Sequence, residues 1–265
     1  MPAPETPVLK DPVLETKNLT VRFGGQVAVD AVNCAFAAGT LTAIVGPNGA
    51  GKTTYFNLIS GQLEATSGSV AFKGQDITGL GIAKRARLGL GRAFQLTNLF
   101  PNLSVLENVR LAVQARSTVG HAFLTMASSH RDLTDKAHAC LKRVALQDRA
   151  ESKAAALSHG DQRKLEVALL IAAEPDVFMF DEPTAGMSVD QAPVILELIE
   201  SIRADSSKTI LLVEHKMDVV RRLADRVIVL HNGALVADGK PADVVASAIV
   251  QEAYLGIRRQ EAAHG

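Results

Sequence analysis

LTAIVGPNGAGKTT, residues 41–54, decides how this chain is read. LTAIV is an apolar run of the kind that forms a parallel strand buried on both faces. It runs straight into Gly46-Pro47-Asn48-Gly49-Ala50-Gly51-Lys52-Thr53, a full match to GxxxxGK[ST], with Thr54 next. Glycines at this spacing let successive backbone N–H groups turn inward around phosphate oxygens. The helix predicted to follow points the positive end of its dipole at the same anion. Lys52 is then placed to reach the outer phosphates, and the Thr53 hydroxyl to ligate Mg²⁺. A chance glycine-rich turn has no reason to sit between an apolar strand and a helix.

Outward from this segment, residues 13–45 read as short strands, VLETKNLTVRF, QVAVDAVNCAF and LTAIV. Partial alternation in the first two predicts an antiparallel sheet with one buried face. The helix TTYFNLISG stops at Gly61, and SGSVAFKGQDIT is a strand and turn. From about 95 to 172 the texture is helical. Leu133, Ala137, Cys140, Leu141 and Val144 share one face at helical spacing, as do Leu165, Ala168, Leu169 and Ala172. Strand-like runs return as VFMF (177–180), TILLVEH (209–215) and RVIVL (226–230), with the helix pattern QAPVILELIESIRA between the first two. That alternation predicts a parallel sheet carrying helices. His231-Asn232-Gly233 reads as a hairpin turn.

Composition narrows the function classes. Among 265 residues, 28 Lys and Arg balance 28 Asp and Glu, so the chain does not advertise a nucleic-acid surface. Aromatic residues are 4% with no Trp, which argues against base-stacking platforms. Cys34 and Cys140 lie in apolar surroundings without metal-ligand spacing and read as reduced core residues of a cytosolic protein. No apolar run reaches the roughly 18 residues of a spanning helix. The Pro-rich start, MPAPETPVLKDP, has no apolar signal core and reads as a loose tail.

Further candidates lie downstream. VFMFDEP (177–183) delivers Asp181 and Glu182 from an apolar strand, a costly place for two carboxylates unless they meet a cation or catalyse. Asp181 would orient Mg²⁺ and Glu182 would act as general base toward water. In LSHGDQRKLEVA (157–168), Ser158 and Asp161 have capping-box spacing. The sharper reading is that Ser158 and the Gly160 backbone offer a second helix N-terminus to a γ-phosphate. Gln95 can touch Mg²⁺ or water, and His215 can hydrogen-bond a γ-phosphate from the end of its strand. Phe23 can stack on adenine. Taken singly, each of these three has a plainer reading, as a surface Gln, a satisfied His and a core Phe. Lys84, Arg85, Arg87 and Arg92 read as a solvated basic face.

In order, these motifs resemble the ATP-binding subunits of ABC transporters, over about residues 13–256. GPNGAGKT is similar to the Walker A loop, FQ (94–95) to the Q-loop, LSHGDQ to the signature, VFMFDEP to Walker B and EH (214–215) to the H-loop. VRFGG, DEPTAGM, EHKMDVV and the terminal AYLG resemble the LivG-type ATPases of branched-chain amino-acid importers; urea and amide importers have similar ATPases. His159 and Asp161 depart from the LSGGQ consensus, and Ser188 stands where most of the family has the D-loop Asp.

The resemblance implies an α/β P-loop NTPase (RecA-like) core with an antiparallel β edge and an inserted helical subdomain. It implies a tail at 1–12, a nucleotide-binding core at 13–94 and 173–240, a helical subdomain with the signature helix at 95–172, and a C-terminal helix and tail at 241–265. It implies ATP and Mg²⁺ as cofactors. ATP is bound by Phe23 and residues 46–54, with Thr53, Gln95 and Asp181 at the metal and Glu182, His215 and Gln95 in catalysis. Ser158, His159, Gly160 and Asp161 close on the ATP of a second, homologous or identical ATPase subunit in a head-to-tail dimer. Two membrane permeases and, indirectly, a periplasmic solute-binding protein complete the set of partners, at the cytoplasmic face of the inner membrane. A soluble ABC ATPase and a small-molecule kinase are the competing readings; the kinase would not need LSHGDQ.

Overall fold

In the computed structural model, residues 11–93, 99–116 and 127–247 are described. The chain opens with strands β1 (Leu14–Phe23), β2 (Gln26–Phe36) and β3 (Leu41–Val45), then helix α1 (Lys52–Ser60). β4 (Ser67–Phe72), β5 (Gln75–Asp76), α2 (Ile82–Leu88) and β6 (Leu90–Arg92) follow. Three helices come next, α3 (Val105–Arg116), α4 (Ala127–Arg143) and α5 (His159–Ala172). β7 (Val177–Asp181), α6 (Ala192–Arg203), β8 (Thr209–Val213), α7 (Met217–Leu223), β9 (Arg226–His231), β10 (Ala234–Gly239) and α8 (Pro241–Ala246) end the described chain. It divides into two compact units, one formed by residues up to Arg85 and from Thr209 onward, the other by Ala86–Lys208.

The first unit holds an antiparallel sheet in the order β2-β1-β4-β5 and a second sheet segment ordered β10-β9-β3-β8. β3 is parallel to both β8 and β9. Every residue of LTAIV and TILLV is buried, which is why these strands are apolar without alternation. The β9–β10 hairpin turns on Asn232 (φ 48°) and Gly233 (φ 80°), the positive pair that a two-residue turn requires.

A buried polar network ties this unit together. Arg226 of β9 pairs with Asp238 of β10, Nε to Oδ1 at 2.6 Å, and also donates to the Ala35 carbonyl of β2. The Tyr55 hydroxyl of α1 meets Thr16 Oγ1 of β1 at 2.9 Å. Cys34 lies between them, and burial pushes its thiol up to about 12 from an ordinary 9.0, so it stays protonated and unreactive.

In the second unit β6 runs parallel to β7, with Arg92 opposite Met179. α3, α4 and α5 contact one another pairwise. They bury Val105, Val109 and Val113 from α3, Leu133, Ala137 and Leu141 from α4 with Val144 just past its end, and Leu165, Ala168 and Ala172 from α5. Cys140 was expected in this core and is instead half-buried, at the edge of the α4 stripe within reach of the Arg143 and Glu174 charges. Leu169 is likewise only half-buried, while Val167, Leu170 and Ile171 are buried, so α5 is covered on more than its expected face. Among the described residues, no helix is long and apolar enough to cross a membrane.

Lys84 and Arg87 are exposed, as a solvated basic face requires, but Arg85 and Arg92 are not. Arg85 is 2% exposed and spends its donors on carbonyl oxygens. Nη1 reaches Leu58 and Ile59 at 2.7 Å each, in the last turn of α1. A guanidinium there satisfies helix carbonyls that have no intrahelical partner and complements the helix dipole.

Candidate functional site

The phosphate loop begins where β3 stops. Gly46 leaves the sheet against the Leu230 carbonyl of β9, where a side chain would overlap it. Gly51 caps α1 with φ 96°, and a β-carbon there would stand 2.5 Å from the Ala28 carbonyl. Only glycine meets both demands without strain. The Gly233 N–H donates to the Ala50 carbonyl at 3.0 Å, and the Asp30 N–H to Gly233 O at 2.9 Å, so β2 and the β9–β10 turn brace the loop.

Lys52 is 6% exposed and donates Nζ to Gly46 O at 2.8 Å and Pro47 O at 2.9 Å, inside the curve of its own loop. α1 starts without a side-chain cap, and its first-turn N–H groups aim at the space the loop encloses. Asn48 and Gly49 form the exposed crown, with Pro47, Thr53 and Thr54 half-buried beside it. These features fit a bound phosphate: a glycine cradle, the positive end of a helix and a cation at the centre.

His215 follows β8 in the same unit. The Glu214 N–H reaches Ile44 O at 3.4 Å, which sets the end of β8 beside the end of β3, two residues before the loop opens. Phe23 closes β1 at its turn and is 53% exposed, so it is not a core residue and its ring face is open to stacking.

Asp181 ends β7 in the second unit with its side chain wholly buried, and Arg92 Nη2 meets its Oδ2 at 2.9 Å. Burial pulls the Arg92 guanidinium below its usual value, and the Asp181 charge opposes that. Spacing alone hid this partner, because Arg92 reads as one more member of a basic cluster. Glu182 is half-buried and holds φ 49°, a left-handed backbone rarely adopted by a Glu and a mark of local strain.

Ser158 caps α5, its Oγ accepting from the Asp161 N–H at 3.2 Å. Asp161 does not complete the reciprocal box; its carboxylate turns to Lys164 Nζ at 3.0 Å. His159 is exposed and Gly160 buried at the first two helical positions. Burial raises the Glu166 carboxyl above the usual range against the opposing Arg163 charge at 3.0 Å. Gln95 lies outside the described residues. Among the described residues, no cluster of three or more His, Cys, Asp or Glu forms a cage; an ion held by one carboxylate, a hydroxyl and substrate phosphates needs none.

Fold and loop together define a P-loop nucleotide-binding protein. The sequence model of the ABC transporter family matches residues 29–185. The branched-chain amino acid transport ATP-binding protein LivG of Escherichia coli K12 is 36% identical over 253 residues, 94% of this chain and 99% of that protein. BraF of Pseudomonas aeruginosa, also a branched-chain amino acid transport ATP-binding protein, is 36% identical over 92% and 98% of the two chains. A phosphonates-import ATP-binding protein, PhnC of Rhizobium johnstonii, is 34% identical over 91% and 86%. Among solved structures, the ADP conformation of the ATP-binding cassette MJ1267 superposes with TM-score 0.78 at 29% identity, covering 92% of this chain and 99% of that one. The dimeric post-hydrolysis cassette MJ0796, bound to ADP and Pi, gives 0.75 at 27%, covering 86% and 98%. The chain belongs to the ABC transporter family as an ATP-binding cassette.

Proposed function

We propose that this chain hydrolyses ATP to drive an ABC importer, with branched-chain amino acids as the solute class. The 36% identity to LivG and BraF over more than nine-tenths of the chain, together with an intact glycine cradle around Lys52, carries this reading. Lys52 and the first amides of α1 take the β- and γ-phosphates, and Phe23 stacks on the base. Thr53 and Asp181, with Gln95, hold Mg²⁺, which when bound neutralises phosphate charge and polarises the γ-phosphoryl group. Glu182 accepts a proton from the attacking water, and His215 hydrogen-bonds the γ-phosphate.

A second cassette, identical or homologous, brings Ser158 and the Gly160 backbone to that nucleotide, and hydrolysis releases the grip. A groove of about 460 Å³ in the second unit supports docking of a permease helix. Ala112 and Ala115 of α3 leave room for it, and Arg87, Glu174 and Asp176 give it a charged rim. The cassette would thus work from the cytoplasmic face of the membrane, with two permeases and, indirectly, a periplasmic binding protein.

The solute is the finer part of the reading, since a phosphonate importer's ATPase is similar at nearly the same identity. A mild-detergent pull-down of the tagged chain tests it. Two permeases should co-purify, and the associated binding protein should bind leucine, isoleucine or valine. A binding protein selective for another solute overturns the amino-acid assignment. Recovery without any permease overturns the importer.

A further inference from the structure

β6 and β7 are pinned to each other at both ends. The Asp176 and Val177 N–H groups donate to Gly89 O at 2.9 and 3.0 Å, and the Ala93 N–H donates to Met179 O at 3.0 Å. Gly91 turns one face of β6 toward α5, since a β-carbon on it would stand 2.6 Å from Leu170 Cδ1 and from Pro175 Cγ. Side chains alternate across a strand, so Arg92 leaves from the opposite face. It sits across from Met179 in the parallel register, and Asp181 follows on that same face two residues on. The guanidinium reaches along this face and donates Nη2 to Asp181 Oδ2 at 2.9 Å, with both side chains out of water. Strand register therefore sets the pair, and an ordered backbone on each side holds it.

We infer that Arg92 is a positioning residue for the metal site, fixing the Asp181 carboxylate so that ATP is held tightly only together with Mg²⁺. Two effects of the guanidinium oppose each other. Its charge repels a divalent cation, and its hydrogen bond fixes the plane of the carboxylate. The triphosphate carries most of the negative charge that attracts Mg²⁺, so Asp181 contributes place more than charge. Mg²⁺ demands near-octahedral geometry with oxygens at about 2.0–2.1 Å, and a carboxylate that can turn meets it poorly. Partners that hydrogen-bond a ligating group commonly matter by about 10- to 100-fold in metal affinity. Orientation therefore outweighs repulsion. A Lys at 92 would keep the charge as a flexible point and lose the rigid planar fork, so it would not replace the arginine.

The inference rests on the ATPase reading, in which Asp181 serves the metal. The test is ATP binding by the full chain carrying Glu182→Gln, titrated with fluorescent ATP in EDTA and then with graded MgCl₂. In this background magnesium should tighten binding; no response overturns the metal reading itself, and the inference with it. Adding Arg92→Met should raise the half-saturating magnesium concentration about 10- to 100-fold, with ATP affinity in EDTA within about threefold. A merely structural loss would weaken both alike. Adding Arg92→Met to Asp181→Asn should change the magnesium requirement by less than about threefold, because the arginine acts through that carboxylate. An unchanged or lowered magnesium requirement in Arg92→Met overturns the inference, as does equal weakening in EDTA or a further large loss on top of Asp181→Asn. If Arg92→Met does not fold, Arg92→Lys decides: it should need at least about threefold more magnesium, and wild-type behaviour would show that charge alone suffices and overturn the positioning role.

Discussion

Arg92 and Asp181 form an ion pair whose side chains are 6% and 0% exposed, so neither charge has water to fall back on. Removing one partner of such a pair strands the other, at a cost of about 3–5 kcal/mol. Arg92→Met should therefore lower urea-unfolding stability by that order, and adding Asp181→Asn should recover part of it. Simple additivity of the two losses would show that the pair is not coupled. Glu182→Gln removes the proton acceptor while keeping shape, so turnover should fall on the order of 10²–10⁴. ATP affinity, read by fluorescent-nucleotide titration, should hold. Neither the Arg92 contact nor the φ of 49° at Glu182 is legible in the sequence. Spacing along the chain names Asp181 and Glu182, but not which strand lies beside them.

The loop joining β3 to α1 depends on glycine unevenly. Gly51 has both a positive φ and the Ala28 carbonyl 2.5 Å from any added β-carbon, whereas Gly49 has φ 79° with nothing within 4 Å. Gly51→Ala should cost about 1–3 kcal/mol, as a strained backbone residue does, and should also lose ATP affinity. Gly49→Ala should cost less. Equal losses in thermal melts and nucleotide titrations would contradict the bracing of the loop by β2. The strands themselves were plain to read, because LTAIV, TILLV and RVIVL are apolar without alternation and only a sheet covered on both faces accepts that. The hairpin at Asn232-Gly233 was equally plain. Its hydrogen bond to Ala50 was not, since it joins residues nearly two hundred positions apart through backbone atoms that carry no residue-type signal. Ser158 was legible as a helix cap for the opposite reason, its partner being three residues away.

At the scale of the molecule, the first unit is joined across β1, β2, α1, β9 and β10 by buried groups that hold their protons or pair their charges. The Cys34 thiol, at about 12 when folded against 9.0 ordinarily, binds its proton more tightly in the native state. Its contribution is complete below pH 9.0 and is lost as pH rises toward about 12. Urea midpoints should fall across that window, and fall less steeply in Cys34→Ala; parallel slopes would remove Cys34 as a cause. The larger claim is that ATP joins two cassettes. Light scattering on the Glu182→Gln chain, alone and mixed with its co-purifying homologue, tests it most directly. Adding ATP and magnesium should raise the mass from 28.1 kDa to that of a pair, and an unchanged mass in both samples would contradict the account.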